Sequence, residues 1–175
     1  MTVQAERMDL PTSRKGRRSG VVSELSVLLK VKPGREQRLR QELTASIADS
    51  AQHAEGQKIL EDIGTVHEVR YVLFDDDTRL LLATSFDGDW DVYIDDFART
   101  MVLQIWENFL IHCEGYPDAA GVASLSLDEQ KEFLTAHQVT AAGYDRVYPD
   151  VTVKEILKAL RVQTAFQQLL DEASS

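Results

Sequence analysis

Apolar residues begin to alternate with polar ones shortly after Val21. The apolar positions are Leu25, Val27, Leu29 and Val31. A period of two predicts a β-strand that has one covered face. Pro33 and Gly34 break this pattern. The spacing then changes to four residues and predicts a helix with apolar positions at Leu39, Leu43 and Ile47.

Two further strands lie on either side of Asp75 to Asp77, since aspartate is favoured in tight turns. The second strand, Arg79 to Phe86, is almost continuously apolar, so we expect a central strand with both faces covered. Apolar residues then recur at steps of three or four and predict a long helix. Those positions are Trp90, Ile94, Phe97, Met101, Ile105 and Phe109. Gly115 and Pro117 end the helix.

The last third of the chain contains helix-start signals. Ser126 and Glu129 form a capping-box pattern that predicts a short helix. Residues Gln138 to Val147 predict a last strand, and Thr152 begins a closing helix. The apolar positions of the closing helix are Ile156, Leu157, Leu160, Phe166, Leu169 and Leu170.

These elements predict an α+β fold with the ferredoxin-like order β-α-β-β-α-β, an inserted helix before the last strand and an extra C-terminal helix. Helices cover only one face of such an antiparallel sheet. The other face would expose apolar surface in a monomer, so we expect a homodimer that packs sheet against sheet and encloses a cavity.

Charge divides the chain of 175 residues into a basic tail and an acidic body. The formal net charge is −10, but residues 1–20 carry five basic and two acidic residues. The remainder has 14 basic and 27 acidic residues, a charge of −13. We therefore expect a disordered basic tail at 1–20 and a single domain at 21–175. An acidic body repels nucleic acids and anionic membranes, so neither is an expected partner.

Cysteine usage and hydropathy indicate a cytoplasmic protein. A single cysteine excludes an internal disulfide framework, which fits a reducing compartment. The first 20 residues lack the apolar stretch of a secretory signal, and no apolar run approaches the length of a membrane span.

Three stretches carry a resemblance to a known superfamily: GTVHEVRYVLFDDDTRLLLATSFDGDWDVYIDDF, IHCEGYP and TAAGYDRVYPDVTVKEIL. Over residues 22–170 the chain resembles the dimeric α+β barrel superfamily, and within it a group of bacterial proteins with no established reaction. The resemblance implies a ferredoxin-like fold and a dimer. The superfamily includes cofactor-free monooxygenases, polyketide cyclases, haem enzymes such as dye-decolourising peroxidases, and stress proteins, among which fold alone does not select.

Two histidines are candidates for chemistry. His67 lies near the start of the second strand, where it would act as a general base or an axial haem ligand, or else make one backbone hydrogen bond. His112 is a second candidate for cofactor binding, supported by Glu114. His67, His112 and Glu114 together would be a two-histidine, one-carboxylate iron set, although their spacing forms no motif. The alternative is a helix end in which His112 meets the C-terminal dipole.

Polar residues on the mixed faces of the predicted strands are candidates for substrate binding. They are Glu24, Ser26, Glu68, Arg70, Thr140 and Tyr144. If helices cover the apolar face, these groups point into the cavity between subunits. Arg70 with Glu24 or Glu68 would orient a ligand, and Tyr144 would donate a proton. The alternative is a set of ordinary cross-strand ion pairs.

Other reactive patterns lack support in the sequence. Cys113 is predicted to be inert because the C-terminal end of a helix and Glu114 both disfavour a thiolate. Asp87, Asp89 and Asp91 resemble the start of a calcium loop, but the required glycine and glutamate are absent. No motif identifies a metal.

The sequence therefore predicts a small-molecule enzyme that uses the cavity of a dimeric α+β barrel. Oxidative chemistry on an apolar organic substrate is favoured, either monooxygenase-like without a cofactor or haem-peroxidase-like. His67, Arg70 and Tyr144 would be its catalytic residues. The alternative is a non-catalytic homodimeric module that binds a ligand or another protein.

Overall fold

The computed structural model of the chain describes residues 16–98, 102–122 and 125–174. Within these ranges the strands are β1 (Arg18–Ser19), β2 (Val22–Lys30), β3 (Val66–Phe74), β4 (Arg79–Asp87) and β5 (Gln138–Val139). The helices are α1 (Glu36–Ala48), α2 (Ser50–Ile63), α3 (Trp90–Ala98), α4 (Val102–Leu110), α5 (Ala119–Val122), α6 (Leu127–His137) and α7 (Val153–Ala173).

The strands form one open antiparallel sheet, so the predicted α+β class is confirmed. The order across the sheet is β1-β2-β4-β3, and β5 also pairs with β2. The short strands β1 and β5 share the outer edge of β2, because β1 pairs with Val22 and Ser23 whereas β5 pairs with Ser26 and Val27. Strand β4 is central, as its continuous apolar run predicts.

Helices pack on one face of the sheet and form the core with it. The buried strand residues of this face include Leu25, Val27, Leu29, Leu80, Leu82 and Phe86. They join Leu39 and Leu43 of α1, Trp90, Tyr93 and Ile94 of α3, and Trp106, Phe109 and Leu110 of α4. The ring of Phe86 stacks on that of Tyr93, whose hydroxyl lies 2.9 Å from the Thr84 hydroxyl. Burial of this apolar surface is the main stabilising contribution to the fold.

The opposite face, here called the open face, carries a row of apolar strand residues that lies outside the core cluster of the described residues. The register places Leu28, Leu81 and Val72 side by side across β2, β4 and β3. Val72 is 43% exposed. This row continues into polar residues toward the start of β2, where Glu24 and Glu68 lie on either side of Ser85.

The three aspartates form the predicted hairpin turn. Asp75, Asp76 and Asp77 have φ values of 52°, 51° and 65°, in the left-handed region that aspartate tolerates better than most residues. The backbone N–H of Thr78 donates to the Asp75 carbonyl at 3.0 Å. This short connection aligns β3 with β4 and so places the start of β3 beside the end of β4.

The end of the sheet differs from the expected arrangement. The last strand was predicted over Gln138 to Val147, but β5 contains two residues because β1 already occupies the adjoining edge of β2. Residues 16–20, predicted as part of a disordered tail, are described and contain β1. The tail residues before Gly16 lie outside the described residues.

Local helix signals agree with the structure in several places. A capping box is present at Ser126, as predicted, and another at Thr152, where the closing helix was predicted to begin. The long helix predicted from Trp90 corresponds to α3 and α4, with residues 99–101 outside the described residues. Met101 is one of these, and the side chains of Ile47 and Phe97 are likewise outside the description. Helix α2 was not recognised in the sequence.

None of the described helices combines the length and apolar character needed to cross a membrane.

Candidate functional site

A β-bulge at the start of β3 turns His67 toward the end of β4. The β3–β4 register shifts between Val66 and Glu68, so His67 is the extra residue of the bulged strand. Bulges re-aim side chains in this way. The His67 Nε2 atom lies 2.8 Å from Asp87 Oδ1, and the two side chains are 7% and 12% exposed.

Asp87 connects this histidine to the C-terminal helix. Its second oxygen, Oδ2, accepts a hydrogen bond from the backbone N–H of Val153 at 2.8 Å. Val153 is the first residue of α7, where free backbone N–H groups stabilise a carboxylate. The Asp87 carboxylate therefore holds the imidazole with one oxygen and the start of α7 with the other.

Arg146 approaches the other ring nitrogen of His67. Its Nη2 atom lies 3.2 Å from His67 Nδ1. Guanidinium groups only donate hydrogen bonds, so Nδ1 is the acceptor and a neutral imidazole carries its proton on Nε2, facing Asp87. The Arg146 Nε atom is buried and has no hydrogen-bond partner among the described residues. The arrangement is a carboxylate–imidazole pair with a cation beside the basic nitrogen.

Tyr144 lies two residues before Arg146 in the segment between β5 and α7. Its hydroxyl is buried and finds no hydrogen-bond partner within the described part of the chain. A buried hydroxyl without a partner is unfavourable by about 1–3 kcal/mol. Tyr144 and Arg146 therefore each carry a buried hydrogen-bond donor without a partner among the described residues, and Arg146 also contacts His67.

Glu24 lies on the open face, as predicted, but its carboxylate ties two chain segments together. Its Oε1 atom accepts hydrogen bonds from the backbone N–H groups of Arg17 and Ala141, both at 3.1 Å. Oε2 accepts from the Ser26 hydroxyl at 2.7 Å. The contacts identify a structural role for Glu24, and its predicted role in substrate binding stays a prediction.

Glu68 and Arg70 share the open face with Glu24. The Ser85 hydroxyl donates to Glu68 Oε1 at 3.3 Å, and Arg70 Nη2 lies 3.8 Å from the same oxygen. The Arg70 side chain is 64% exposed. It is therefore accessible to a ligand on this face, while the ion pair itself is a weak surface interaction.

His112 does not join His67 within one chain. The Lys32 N–H donates to the His112 carbonyl beyond the end of β2, whereas Asp87 pairs with Val22 at the start of β2. Ten residues of extended chain span about 30 Å. His112 is buried, and its Nε2 lies 2.7 Å from Glu42 Oε2 of α1. The possibility that His112 or Glu114 reaches the site of His67 in the same chain is thus excluded.

The His112–Glu42 contact has its own electrostatic effect. Burial raises the pKa of Glu42, but hydrogen bonds from His112 and Arg38 lower it by more, so the pKa lies below its usual value. Glu114 is exposed and donates its backbone N–H to the Lys30 carbonyl at 2.8 Å. His112 and Glu114 thus connect the segment after α4 to α1 and to the end of β2, and the predicted interaction of His112 with the helix dipole stays a prediction. Gly115 completes the helix end with a φ of +79°.

With Arg146 in its observed position, His67 is not placed to act as an axial haem ligand. One ring nitrogen faces Asp87, and the other faces the Arg146 guanidinium at 3.2 Å. A cation beside the coordinating nitrogen repels iron. Among the described residues, no group of three or more histidine, cysteine, aspartate or glutamate side chains is arranged to hold a metal ion. The set of His67, His112 and Glu114 is therefore not assembled.

Cys113 is fully buried in the core beside α4. Burial raises the pKa of its thiol to about 12, and the nearby Lys32 opposes this only weakly. The sequence predicted the same direction from the helix end and Glu114. The larger cause in the structure is removal of the thiol from water.

We expect Cys113 to resist thiol reagents in the native protein at pH 8. With a pKa of about 12, roughly one thiol in ten thousand is ionised at that pH, and the sulfur is shielded as well. Ellman's reagent should detect one thiol per chain in 6 M guanidinium chloride and almost none without it. Rapid reaction of one equivalent in buffer would contradict this placement.

No protein-family model, curated protein or solved structure matches the chain.

Proposed function

We propose that the chain is a homodimeric α+β barrel enzyme that removes a proton from a small, largely apolar organic substrate at the open face of the sheet. His67 is the general base, Asp87 orients it and Arg146 binds the negative charge that develops on the substrate. The observation that carries the proposal is the buried His67–Asp87 pair, with Arg146 beside the basic nitrogen.

The strand arrangement supports the ferredoxin-like part of this proposal. Taking β5 as the edge strand gives the order β5-β2-β4-β3 with antiparallel neighbours. Helix residues pack on one face, while the row Leu28, Leu81 and Val72 remains on the other. A second copy packed on this row would bury it and enclose the polar end of the open face.

The geometry of the His67 ring supports its role as the base. The Nε2–H bond to Asp87 fixes the tautomer, so that the Nδ1 lone pair is directed away from Asp87. Asp87 also stabilises the imidazolium that forms when Nδ1 accepts the substrate proton. This use of an aspartate to orient a histidine is common to many general bases.

Arg146 and Tyr144 supply groups that recognise an anion. For a substrate to reach Nδ1, Arg146 must exchange its 3.2 Å contact with His67 for a contact with the substrate oxygen. The electron pair left by the departing proton then resides on that oxygen, where the guanidinium stabilises it. Tyr144, two residues before Arg146, is proposed to add a hydrogen bond from its unpartnered hydroxyl. Arg70, exposed on the same face, orients the far end of the ligand.

The substrates that suit this site are phenols and enolisable ketones with an apolar body. Their conjugate bases carry negative charge on oxygen and are electron-rich at carbon. Such anions react with dioxygen or close a ring without help from a bound cofactor. Oxidative, cofactor-free turnover is therefore the favoured outcome, and cyclisation is the related one.

A cytoplasmic location also stays a prediction.

The test is oxygen consumption with a panel of hydrophobic phenols and 1,3-diketones. We expect His67→Ala to lower turnover by roughly 10²–10⁴-fold, the usual contribution of a general base. Arg146→Leu should lower turnover and raise KM, because it removes anion binding. Product analysis by mass spectrometry distinguishes oxygenation from cyclisation.

His53 provides a matched control for the loss of a histidine. It is exposed on α2, and its replacement by alanine leaves the open face intact. Equal turnover in the wild type and His67→Ala, with His53→Ala also unchanged, would contradict the proposal. A Soret band in the purified protein that disappears in His67→Ala would instead assign His67 to haem.

A non-catalytic role is the second candidate. It is favoured by the fact that both ring nitrogens of His67 already have partners, which is what a structural histidine requires. In this case the protein would bind members of the same panel, with calorimetric heats of binding but without turnover. Binding that is unaffected by Arg146→Leu would place the ligand elsewhere.

A further inference from the structure

The C-terminal helix α7 stands away from the rest of the chain. Val153 is buried, but from Lys154 to Ser174 every side chain is exposed except that of Leu157, which is half-buried. A helix of 21 residues is about 30 Å long, and helices in proteins gain most of their stability from the packing of an apolar face against other elements. The fold of one chain does not supply the packing that α7 needs.

The exposed side chains of α7 form an apolar stripe. Ala159, Val162, Phe166, Leu169 and Ala173 recur at alternating steps of three and four, the spacing of a helix–helix seam. The large apolar side chains on the helix are 38–64% exposed; they are Ile156, Leu160, Val162, Phe166, Leu169 and Leu170. At roughly 200 Å² for each side chain, they expose about 600 Å².

This exposed area is comparable to what a specific interface buries. A standard protein interface buries about 800 Å² on each partner, and a patch of about 600 Å² is at the upper limit for a monomer. A single partner helix lying along the stripe would cover most of it. The area therefore fits a helix as the occupant.

The charges on α7 indicate which partner helix would be complementary to it. Its first nine residues contain Lys154, Lys158 and Arg161 against Glu155, its middle is uncharged, and Asp171 and Glu172 lie near its end. This order is unfavourable for the helix alone, because cations are preferred at the C-terminal end and anions at the N-terminal end. In an antiparallel pair, the basic half of each helix lies beside the acidic end of the other.

We propose that α7 pairs with α7 of a second copy of this chain in an antiparallel arrangement. With Ala159 of one copy opposite Leu169 of the other, Val162 faces Phe166, and Thr164 lies at the centre of the pair. Lys158 then lies near Glu172 of the other copy. A parallel pair would instead place Lys158 beside Lys158 and Glu172 beside Glu172. The inference depends on α7 alone and is independent of the proposed function.

Spin-label distances in the full chain test both pairing and direction. Cys113 is buried, so a label can be directed to Ala165→Cys or, separately, to Ala173→Cys. Positions 165 lie near the centre, and we expect a distance below about 20 Å with helix axes 8–10 Å apart. Positions 173 should be about 29 Å apart, since 18 residues of axial offset contribute about 27 Å.

Two outcomes overturn the proposal. Short distances at both positions would mean a parallel pair, and the absence of dipolar coupling at position 165 would mean that the helices do not pair. These distances can be measured whether or not the panel assay detects turnover. A failure of the α7 pairing can therefore be distinguished from a failure of the proposed function.

Matched substitutions test whether the apolar stripe forms the contact. In the Ala165→Cys background, Phe166→Glu with Leu169→Glu should abolish the short distance, since two charges enter the seam. Gln167→Glu with Gln168→Glu adds the same charge on the outer side and should retain it. If the outer pair abolishes the distance equally, or the seam pair leaves it unchanged, the stripe is not the interface.

The ion pairs give a separate readout of direction. Lys158→Glu should weaken association several-fold in a dilution series, and so should Glu172→Lys. The double variant Lys158→Glu with Glu172→Lys should restore it, because the complementary charges exchange places. Additive weakening in the double variant would contradict the antiparallel contact.

Discussion

Replacing Asp87 by alanine should lower the free energy of unfolding by about 3 kcal/mol, since it leaves the Val153 N–H and the His67 ring without their acceptor. The loss affects two elements at once, because one carboxylate joins the start of β3 to the start of α7. Urea denaturation followed by circular dichroism measures the change in the free energy of unfolding.

Two control variants separate this contact from a general effect of removing an aspartate. Asp87→Asn keeps one carbonyl oxygen as an acceptor, so it should be destabilised less than Asp87→Ala. Asp89→Ala removes an exposed carboxylate that lies 3.5 Å from Arg18 and directly precedes α3, so it should lower stability by only about 1 kcal/mol. Equal losses in Asp87→Ala and Asp89→Ala would show that the buried contacts of Asp87 contribute nothing specific.

Glu24→Ala should also be destabilised by about 3 kcal/mol. The side chain is buried and accepts from two backbone N–H groups, which would be left without partners. The residues that lose their acceptor, Arg17 and Ala141, precede β1 and follow β5. We therefore expect hydrogen exchange of these two amides to accelerate in the variant before global unfolding is detectable.

Glu68 provides the matched control for Glu24. It lies on the same face with a half-exposed side chain, and its contacts are a 3.3 Å hydrogen bond and a 3.8 Å ion pair. Glu68→Ala should leave both stability and the two amide exchange rates nearly unchanged. If the amides of Arg17 and Ala141 stayed protected in Glu24→Ala, the carboxylate would not be what holds them.

The positions of several site residues could be predicted from the sequence alone. The open-face placement of Glu24, Glu68 and Arg70 follows from strict alternation along each strand. Counting back from the turn at Asp75 to Asp77 would also have placed His67 near Asp87, because a hairpin pairs residues at equal distances from its turn. In the sequence, Asp87 drew attention only together with Asp89 and Asp91, as the start of an incomplete calcium loop.

The contact between Arg146 and His67 gave no comparable signal. The two residues are 79 positions apart, and the segment that carries Arg146 has no regular structure whose period could be counted. The short length of β5 could not be predicted from the sequence either, since it depends on β1 occupying the adjoining edge of β2. The separation of His112 from His67 likewise became visible only in the structure, where the His112 carbonyl accepts from the Lys32 N–H beyond the end of β2.

The sequence by itself determined the features that depend on neighbours along the chain. These are the alternation of β2, the aspartate turn, the capping boxes at Ser126 and Thr152, and Gly115, which ends the helical segment that begins with α4. Each involves groups within a few residues, whose preferences are intrinsic. Only the tertiary structure decided which distant side chains meet at His67, and that α7 leaves its apolar stripe uncovered. Both depend on how the remaining elements fill the space around the sheet.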